Sequence, residues 1–222
     1  MRIALFDFDG TIYPHETFET LRLHMRDNQK YKKYYKHFVV RFAPSYFGYK
    51  LKLVPKLKMQ YKALESYVYA FKGMSKEDLE VFFKMVADDM REELRDEILE
   101  RIDELRKNNY YTILISGAFT PLLEALFPNK FDHIIGSTVN YKNNKVDTKQ
   151  PFKRVFGTKK IELIRNHFKD QKVDWNESQA YSDSLSDLSM LNLVGQPVAV
   201  YPDHSLTKIA EANNWEIISN NR

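Results

Sequence analysis

The alternation of short apolar runs with helix-forming segments in the second half of the chain is the feature that most limits its fold. Five runs are short enough to be strands, and they lie at residues 110–116 and 133–139, at a segment ending at residue 183, and at residues 197–201 and 215–218. A sixth run, at residues 2–8, precedes them all. Parallel strands need long crossovers, usually helices, so this alternation is typical of parallel sheets. The sequence therefore predicts an α/β fold, with a mostly parallel sheet covered by helices on both faces.

A long helical stretch separates the first apolar run from the others. Phe18, Leu21 and Met25 recur at helical spacing near its start, and Ser75 opens a capping-box pattern near its end. Four helix-breaking residues are predicted to divide it into several helices: Pro44, Gly48, Pro55 and Gly73. We therefore predict a core formed by residues 1–13 and 89–222, with a helical cap domain at residues 14–88 inserted after the first strand.

Positive charge is concentrated in the predicted cap. The whole chain has a formal net charge of +4, yet residues 28–64 contain ten Lys and Arg and no Asp or Glu, so the rest is net acidic. One interpretation is a solvated cap face whose tyrosines pack the interior of the cap. Another is a surface that attracts an anionic substrate, an anionic membrane surface or nucleic acid. The pattern leaves both interpretations open.

The composition excludes several classes of protein. The chain contains no cysteine, which excludes disulfides, thiolate zinc sites and cysteine nucleophiles. Its N-terminal apolar run ends too early for a signal peptide, and no stretch approaches the roughly 20 apolar residues that span a bilayer. These features predict a soluble, cytoplasmic protein without a transmembrane segment.

Polar side chains follow the predicted strands at the points where the strands end. The first strand leads into Asp7 and Asp9, the second into Ser116 and Gly117, and a later one into Asp183. Asp187 and Lys160 lie near the starts of two helices. Ligands of open parallel sheets bind beyond the carboxyl ends of the strands, so we expect these residues to meet there.

Clustered carboxylates repel one another unless a cation lies between them. Ligands that are all oxygen favour a hard ion that keeps several waters, which indicates Mg²⁺. In this interpretation Asp7 and Asp183 supply carboxylates, Asp9 supplies its backbone carbonyl, and Asp187 orients the other groups.

The same residues have the chemistry that phosphoryl transfer needs. Asp7 can act as the nucleophile, while Mg²⁺ and Lys160 offset negative charge. Ser116 Oγ and the Gly117 amide can hold the phosphoryl oxygens. Asp9 can protonate the leaving oxygen and then take a proton from the hydrolytic water. Lys159 is adjacent to Lys160, and only the spacing from Gly157 favours Lys160.

Four motifs occur in order along the chain: Phe6-Asp7-Phe8-Asp9-Gly10-Thr11, Ile115-Ser116-Gly117, Gly157-x-x-Lys160 and Ser182-Asp183-Ser184-Leu185-Ser186-Asp187. They resemble the four motifs of the haloacid dehalogenase (HAD) superfamily, and the cap between the first two resembles the phosphoserine-phosphatase-like branch, subfamily IB. The resemblance implies a Rossmann-like core, a helical lid, Mg²⁺ and a phosphatase acting on a small phosphorylated metabolite. Dehalogenase-type members lack an acid at the position of Asp9, so Asp9 favours phosphatase or phosphotransferase chemistry.

The resemblance also bears on the substrate. In phosphoserine phosphatases an acid at the spacing of Glu16 contacts the substrate amino group, so Glu16 is a candidate substrate contact; it is equally typical of a helix start. Those enzymes also carry a cap arginine for the substrate carboxylate, whereas residues 65–70 here contain none. This departure argues against L-phosphoserine. Tyr67, Tyr69 and Phe71 instead suggest a less polar leaving group.

Two alternatives to a phosphatase remain from the sequence. A phosphotransferase would form the same aspartyl-phosphate and pass the phosphoryl group to another acceptor. A non-enzymatic polyanion-binding protein would keep the fold and use its basic cap to bind nucleic acid or membrane.

Overall fold

A six-stranded, fully parallel sheet forms the centre of the molecule. The structure is a computed structural model that describes residues 1–219, with only the backbone described at positions 56 and 57. The sheet strands are β1 (Ile3–Phe6), β2 (Tyr111–Phe119), β3 (His133–Ser137), β6 (Gln179–Ser182), β7 (Gln196–Val200) and β8 (Glu216–Ile218). Their order across the sheet is β3-β2-β1-β6-β7-β8, which places β1 near the middle. The predicted α/β fold is confirmed.

Helices cover both faces of the sheet. The helices are α1 (Thr17–Asp27), α2 (Lys32–Lys50), α3 (Lys56–Ala70), α4 (Lys76–Arg91), α5 (Asp96–Lys107), α6 (Thr120–Leu126), α7 (Thr158–His167), α8 (Leu188–Leu191) and α9 (His204–Ala212). Side chains alternate across β1, so Ala4 and Phe6 pack in one apolar cluster with α4, α5 and α6. Ile3 and Leu5 pack in a second cluster with α7, α8 and α9. Each face of the sheet therefore has its own core.

The segment between β1 and α5 folds into α1 to α4. Helix α2 packs against α3, and α4 packs against α6. Helix α4 begins as predicted, because the Ser75 side chain accepts a hydrogen bond from the backbone N–H of Asp78 at 3.1 Å. It continues to Arg91, so the predicted domain boundary after residue 88 lies inside this helix.

Two of the predicted helix breaks were wrong. Pro44 and Gly48 both lie inside α2, which continues to Lys50. A Cβ at Gly48 would lie 2.8 Å from Val54 Cγ2, and the backbone N–H groups of Leu53 and Val54 both donate to the Gly48 carbonyl. Gly48 thus lets the connection after α2 fold back onto the helix. Pro55 and Gly73 do separate helices.

A small hairpin joins the core to the α3–α4 junction. Strands β4 (Tyr141–Lys142) and β5 (Lys145–Val146) are antiparallel, and Asn143 and Asn144 between them have φ values of 50° and 59°. These left-handed residues make the hairpin turn. The Val146 N–H donates to the Met74 carbonyl at 2.9 Å, and the Gly73 N–H donates to the Val146 carbonyl at 3.2 Å. Within residues 1–219, no helix combines the length and hydrophobicity needed to cross a membrane.

Candidate active site

All of the predicted site residues line one cavity at the carboxyl ends of the central strands. Because β1 lies between β2 and β6, the residues that follow these three strands meet at one edge of the sheet. The cavity measures about 430 Å³, and its lining includes Asp7, Asp9, Glu16, Ser116, Gly117, Lys160, Asp183 and Asp187. We call it the aspartate cavity.

The loop after β1 is held tightly in place. The Asp7 N–H donates to the Tyr181 carbonyl at 3.0 Å, which continues the pairing of β1 with β6. Gly10 has a φ of 79°, and a Cβ there would lie 2.1 Å from the Asp183 carboxylate. Only glycine allows that approach. Arg95, which precedes α5, donates to the carbonyls of Gly10 and Thr11 from the other side.

Lys160 joins two of the aspartates. Its Nζ lies 2.7 Å from Asp7 Oδ1 and 2.7 Å from Asp187 Oδ2, and all three side chains are buried. Ser182 Oγ also donates to Asp187 at 3.0 Å. Lys159, by contrast, is exposed and pairs with Glu162. Lys160 is therefore the lysine that faces the aspartates.

Asp9 is oriented by helix α1. Its Oδ1 accepts hydrogen bonds from the Thr17 backbone N–H at 3.0 Å and from Thr17 Oγ1. Glu16 lies at the N-cap position of α1, but its side chain makes no capping hydrogen bond. The Glu16 carboxylate therefore lines the cavity without serving as the cap.

Burial raises the pKa values of the clustered aspartates. Burial, with a smaller effect from Asp187 and Asp183, raises the pKa of Asp7 to about 8 against the opposing effect of Lys160. Burial likewise raises the pKa of Asp9 and that of Asp183 to about 7. Burial alone would lower the pKa of Lys160, but Asp187 and Asp7 outweigh it and raise that pKa. The site thus holds more buried negative charge than its one lysine can balance.

The donor chemistry of this cavity suits a small hard cation. Among residues 1–219, no group of three or more His, Asp or Glu side chains is arranged to hold a metal ion. Asp7 and Asp183 are available as carboxylate donors, and the loop supplies the Asp9 carbonyl. Mg²⁺ in proteins usually binds a few protein oxygens, and water and phosphate oxygens fill its remaining coordination positions. A cation there would also oppose the effects of burial and of the neighbouring aspartates, which together raise the pKa of Asp7.

Ser116 and Gly117 come from β2 and Asp183 follows β6, and these two strands flank β1 on opposite sides. Ser116 is buried in β2, and its Oγ accepts a hydrogen bond from the Ala118 N–H at 3.0 Å, which leaves its own proton available to a ligand. A Cβ at Gly117 would lie 3.2 Å from the Val155 carbonyl. The absence of a side chain keeps this part of β2 close to the loop before α7.

A second cavity of about 310 Å³ adjoins the first and contains a residue that the sequence interpretation missed. It shares Asp9, Glu16 and Gly117 with the aspartate cavity, and it adds apolar side chains of α1 and α3. We call it the helix-side cavity. Arg154 lines both cavities, stacks 4.4 Å from the Phe156 ring centroid, and has a buried Nε without a hydrogen-bond partner. Burial lowers its pKa, and Glu16 and Asp9 oppose that shift.

No motif spacing marks Arg154. It lies three residues before Gly157 in a connection without regular structure, and only the fold brings it beside Glu16. Residues 65–70 contain no arginine, but Arg154 supplies a positive charge to both cavities.

The expectation that Tyr67, Tyr69 and Phe71 face a less polar leaving group was wrong for two of these three aromatic residues. Tyr67 and Phe71 are buried, and the Tyr67 hydroxyl donates to the Phe18 carbonyl at 2.6 Å. They pack the interior of the α1–α4 segment rather than the cavity wall. Tyr69 stacks under Arg41, whose Cζ lies 3.4 Å from the ring centroid. The apolar lining of the helix-side cavity comes instead from Phe18, Met59, Ala63, Leu64 and Ala118.

Comparison with known proteins places this site in a family. The family model for haloacid dehalogenase-like hydrolases matches residues 4–192. The chain belongs to this family. The match contains all four motifs and the whole of the α1–α4 segment.

Individual relatives agree with this assignment. Phosphoserine phosphatase SerB1 of Mycobacterium tuberculosis is 39% identical over 61 residues, which are 28% of this chain and 20% of that protein. The chain thus matches about a fifth of the length of this curated relative. A protein of unknown function from Bordetella pertussis Tohama I has the same fold with a TM-score of 0.80, at 17% identity, over 98% of both chains. A phospho-aspartyl intermediate analogue of phosphoserine phosphatase superposes with a TM-score of 0.61, at 18% identity, over 100% of this chain and 94% of its own.

Proposed function

We propose that this protein is an Mg²⁺-dependent phosphatase that hydrolyses a small phosphomonoester through an aspartyl-phosphate on Asp7. The observation that carries the proposal is Lys160 lying 2.7 Å from Asp7 in a buried cavity that also holds Asp9 and Asp183. A nucleophile, a fixed cation and a second acid therefore lie within one small volume.

The first step forms the intermediate. Asp7 Oδ1 accepts from Lys160, so Oδ2 is the oxygen that attacks phosphorus while the bond to the leaving oxygen breaks. Asp9 gives its proton to the leaving oxygen, and a pKa of about 7 suits this role because the acid is still partly protonated near neutral pH. Ser116 Oγ and the Gly117 N–H donate to phosphoryl oxygens.

The second step releases phosphate. Asp9, now a carboxylate, takes a proton from a water molecule, whose oxygen attacks phosphorus while the bond to Asp7 breaks. Asp7, Asp183 and the Asp9 carbonyl would hold Mg²⁺, which when bound supplies positive charge to the phosphoryl oxygens. Asp187 holds Lys160 in position through the 2.7 Å contact.

The helix-side cavity is proposed to receive the leaving group. Arg154 offers a cation to an acidic group, Glu16 offers an anion to an amino or hydroxyl group, and the apolar lining excludes water. The name of the Mycobacterium relative and the phosphoserine phosphatase fold are compatible with such a small, charged leaving group. We propose residues 14–88 as the cap that closes over it.

Release of phosphate from an aryl phosphate, with and without Mg²⁺, tests this proposal. We expect turnover that requires Mg²⁺ and falls at least about a thousandfold in Asp7→Asn, because the amide cannot act as the nucleophile. Asp170→Asn is the matched control, since Asp170 is exposed and distant from the site. Substantial activity in Asp7→Asn would show that the nucleophile is another group.

The phosphotransferase alternative has its own measurement. If added alcohols accept the phosphoryl group faster than water does, the same intermediate serves transfer rather than hydrolysis.

A further inference from the structure

Helix α2 is apolar on two opposite sides, and only one side is covered. Phe38 and Phe42 are buried among the neighbouring helices. The opposite side carries a second stripe at i, i+4, i+7 and i+11, which consists of Val40, Pro44, Phe47 and Leu51. Val40 is 77% exposed, Phe47 63% and Leu51 70%. A solvent-facing stripe of this size is apolar surface that favours removal from water.

The connection after α2 enlarges the stripe. Leu53 is 77% exposed, and seven of the ten large apolar side chains described as exposed lie within residues 39–61. Scattered apolar side chains are ordinary on a protein surface, whereas a concentration in one place indicates a binding surface. We call the surface formed by Val40, Pro44, Phe47, Leu51 and Leu53 the α2 patch.

The surroundings of the α2 patch are strongly basic. Residues 28–64 contain no carboxylate. The exposed lysines of this segment include Lys32, Lys33, Lys36, Lys50, Lys52 and Lys58. In the described part of the chain, none of these six forms an ion pair with an acidic side chain. The patch therefore presents apolar groups within a field of unbalanced positive charge.

Charge and shape together select the partner. A second copy of this chain would bring two basic surfaces together, which disfavours self-association. Nucleic acid would pair with the lysines but would leave Val40, Leu51 and Leu53 without apolar partners. An anionic bilayer suits both groups, because lipid phosphates attract the lysines and the acyl boundary receives the apolar stripe.

We propose that the α2 patch binds the surface of an anionic phospholipid membrane, with α2 lying in the plane of the interface. The proposed binding is peripheral: within residues 1–219 no helix is long and apolar enough to cross a bilayer. Helix α3 follows the patch directly, and its Gln60 and Ala63 line the helix-side cavity. Membrane binding would therefore hold the helix-side cavity close to the lipid surface.

Co-sedimentation of the full chain with vesicles tests the proposal. We expect binding to vesicles of phosphatidylcholine with phosphatidylglycerol, and much weaker binding to phosphatidylcholine alone. Phe47→Ser/Leu51→Ser should weaken binding at least about tenfold, since each side chain loses apolar burial. Lys33→Gln/Lys36→Gln should weaken it about fivefold per lysine at low salt and less at high salt. Val81→Ser is the matched control, because Val81 is 48% exposed on α4, away from the patch.

Three outcomes would overturn the proposal. The wild type could remain in the supernatant with anionic vesicles at low salt. Binding could survive Phe47→Ser/Leu51→Ser while RNA competes for it, which would indicate a general polyanion surface. The wild type could instead form a dimer that the apolar variant dissociates, which would make the patch a self-association surface. Co-sedimentation does not measure turnover, so a failure of the proposed phosphatase activity would not affect the proposal of membrane binding.

Discussion

Asp7 and Asp9 are two residues apart, yet their carboxylates contact different partners. Asp7 lies against the Lys160 ammonium, whereas Asp9 accepts hydrogen bonds only from neutral donors of Thr17. Burial raises the pKa of both carboxyl groups, and it is opposed by the Lys160 ammonium at Asp7 and by the Thr17 donors at Asp9. We propose Asp7 as the nucleophile because Lys160 holds one of its oxygens, and Asp9 as the proton donor because Thr17 holds its Oδ1.

Replacement of Asp9 tests this division of roles. Asp9→Asn should slow turnover about 10²- to 10⁴-fold for poor leaving groups such as alkyl phosphates, because these need a proton on the leaving oxygen. Activated aryl phosphates should be affected much less. The measurement is kcat/KM across esters of graded leaving-group pKa, with Asp170→Asn as control. Equal slowing across the series would contradict proton donation by Asp9.

Arg154 can be tested with substrates that differ by one carboxylate, such as O-phosphoserine and O-phosphoethanolamine. If Arg154 contacts the leaving group, Arg154→Gln should lower kcat/KM for the carboxylate ester about 10- to 100-fold, the usual effect of losing a charged hydrogen bond. The other ester should change little. Lys153→Gln is the neighbouring control. Equal losses for both esters would mean that Arg154 contacts the phosphoryl group instead.

At the scale of single elements, local sequence rules held where local interactions decide the structure. The Ser75 cap was predicted because it depends on residues that are neighbours in the sequence. The prediction that Pro44 and Gly48 end a helix was wrong. Pro44 lies on the solvent side of α2, whose other side is held by the buried Phe38 and Phe42, and Gly48 leaves room for Val54. Tertiary packing overrode their helix-breaking tendency.

The cap of α4 gives a quantitative test at this scale. Ser75→Ala should lower the free energy of unfolding by about 1 kcal/mol, because the Asp78 N–H loses its acceptor. Urea unfolding checks this value, and Ser189→Ala, an exposed serine inside α8, is the control. No difference between the two variants would show that water replaces the cap at no cost.

At the scale of the whole molecule, the strand order explains why the site could be predicted. Motif residues end three strands that are neighbours in a parallel sheet, so their convergence follows from the fold class. Glu16 and Arg154 are different, because one comes from α1 and the other from a connection without regular structure. Their meeting depends on how α1 to α3 pack, which no local pattern records.

The buried aspartates also affect the stability of the whole molecule. Burial raises the pKa values of Asp7, Asp9 and Asp183 from the ordinary 3.8 to about 8, 7 and 7, so between about pH 4 and pH 8 the folded state binds more protons than the unfolded state. The stability of the metal-free protein should therefore fall as the pH rises through this range. Mg²⁺ prefers the ionised carboxylates, so its stabilising effect should be larger at pH 8 than at pH 5.5.

Thermal unfolding in EDTA and in excess Mg²⁺, at both pH values, measures this coupling. A concentration a hundred times the Kd should stabilise the protein by about 2.7 kcal/mol at pH 8. Asp183→Asn should lose most of this stabilisation by Mg²⁺. Equal stabilisation by Mg²⁺ at both pH values would contradict metal binding by these carboxylates.

The hairpin of β4 and β5 affects which residues must be exchanged together in a chimeric protein. Its hydrogen bonds to residues 73–76 connect the α3–α4 junction to a part of the chain some 70 residues later. An engineered chimera that exchanges residues 14–88 alone would cut those bonds and leave the backbone of Val146 without its acceptor. The transplantable module is therefore discontinuous, and it consists of the helices together with residues 141–146.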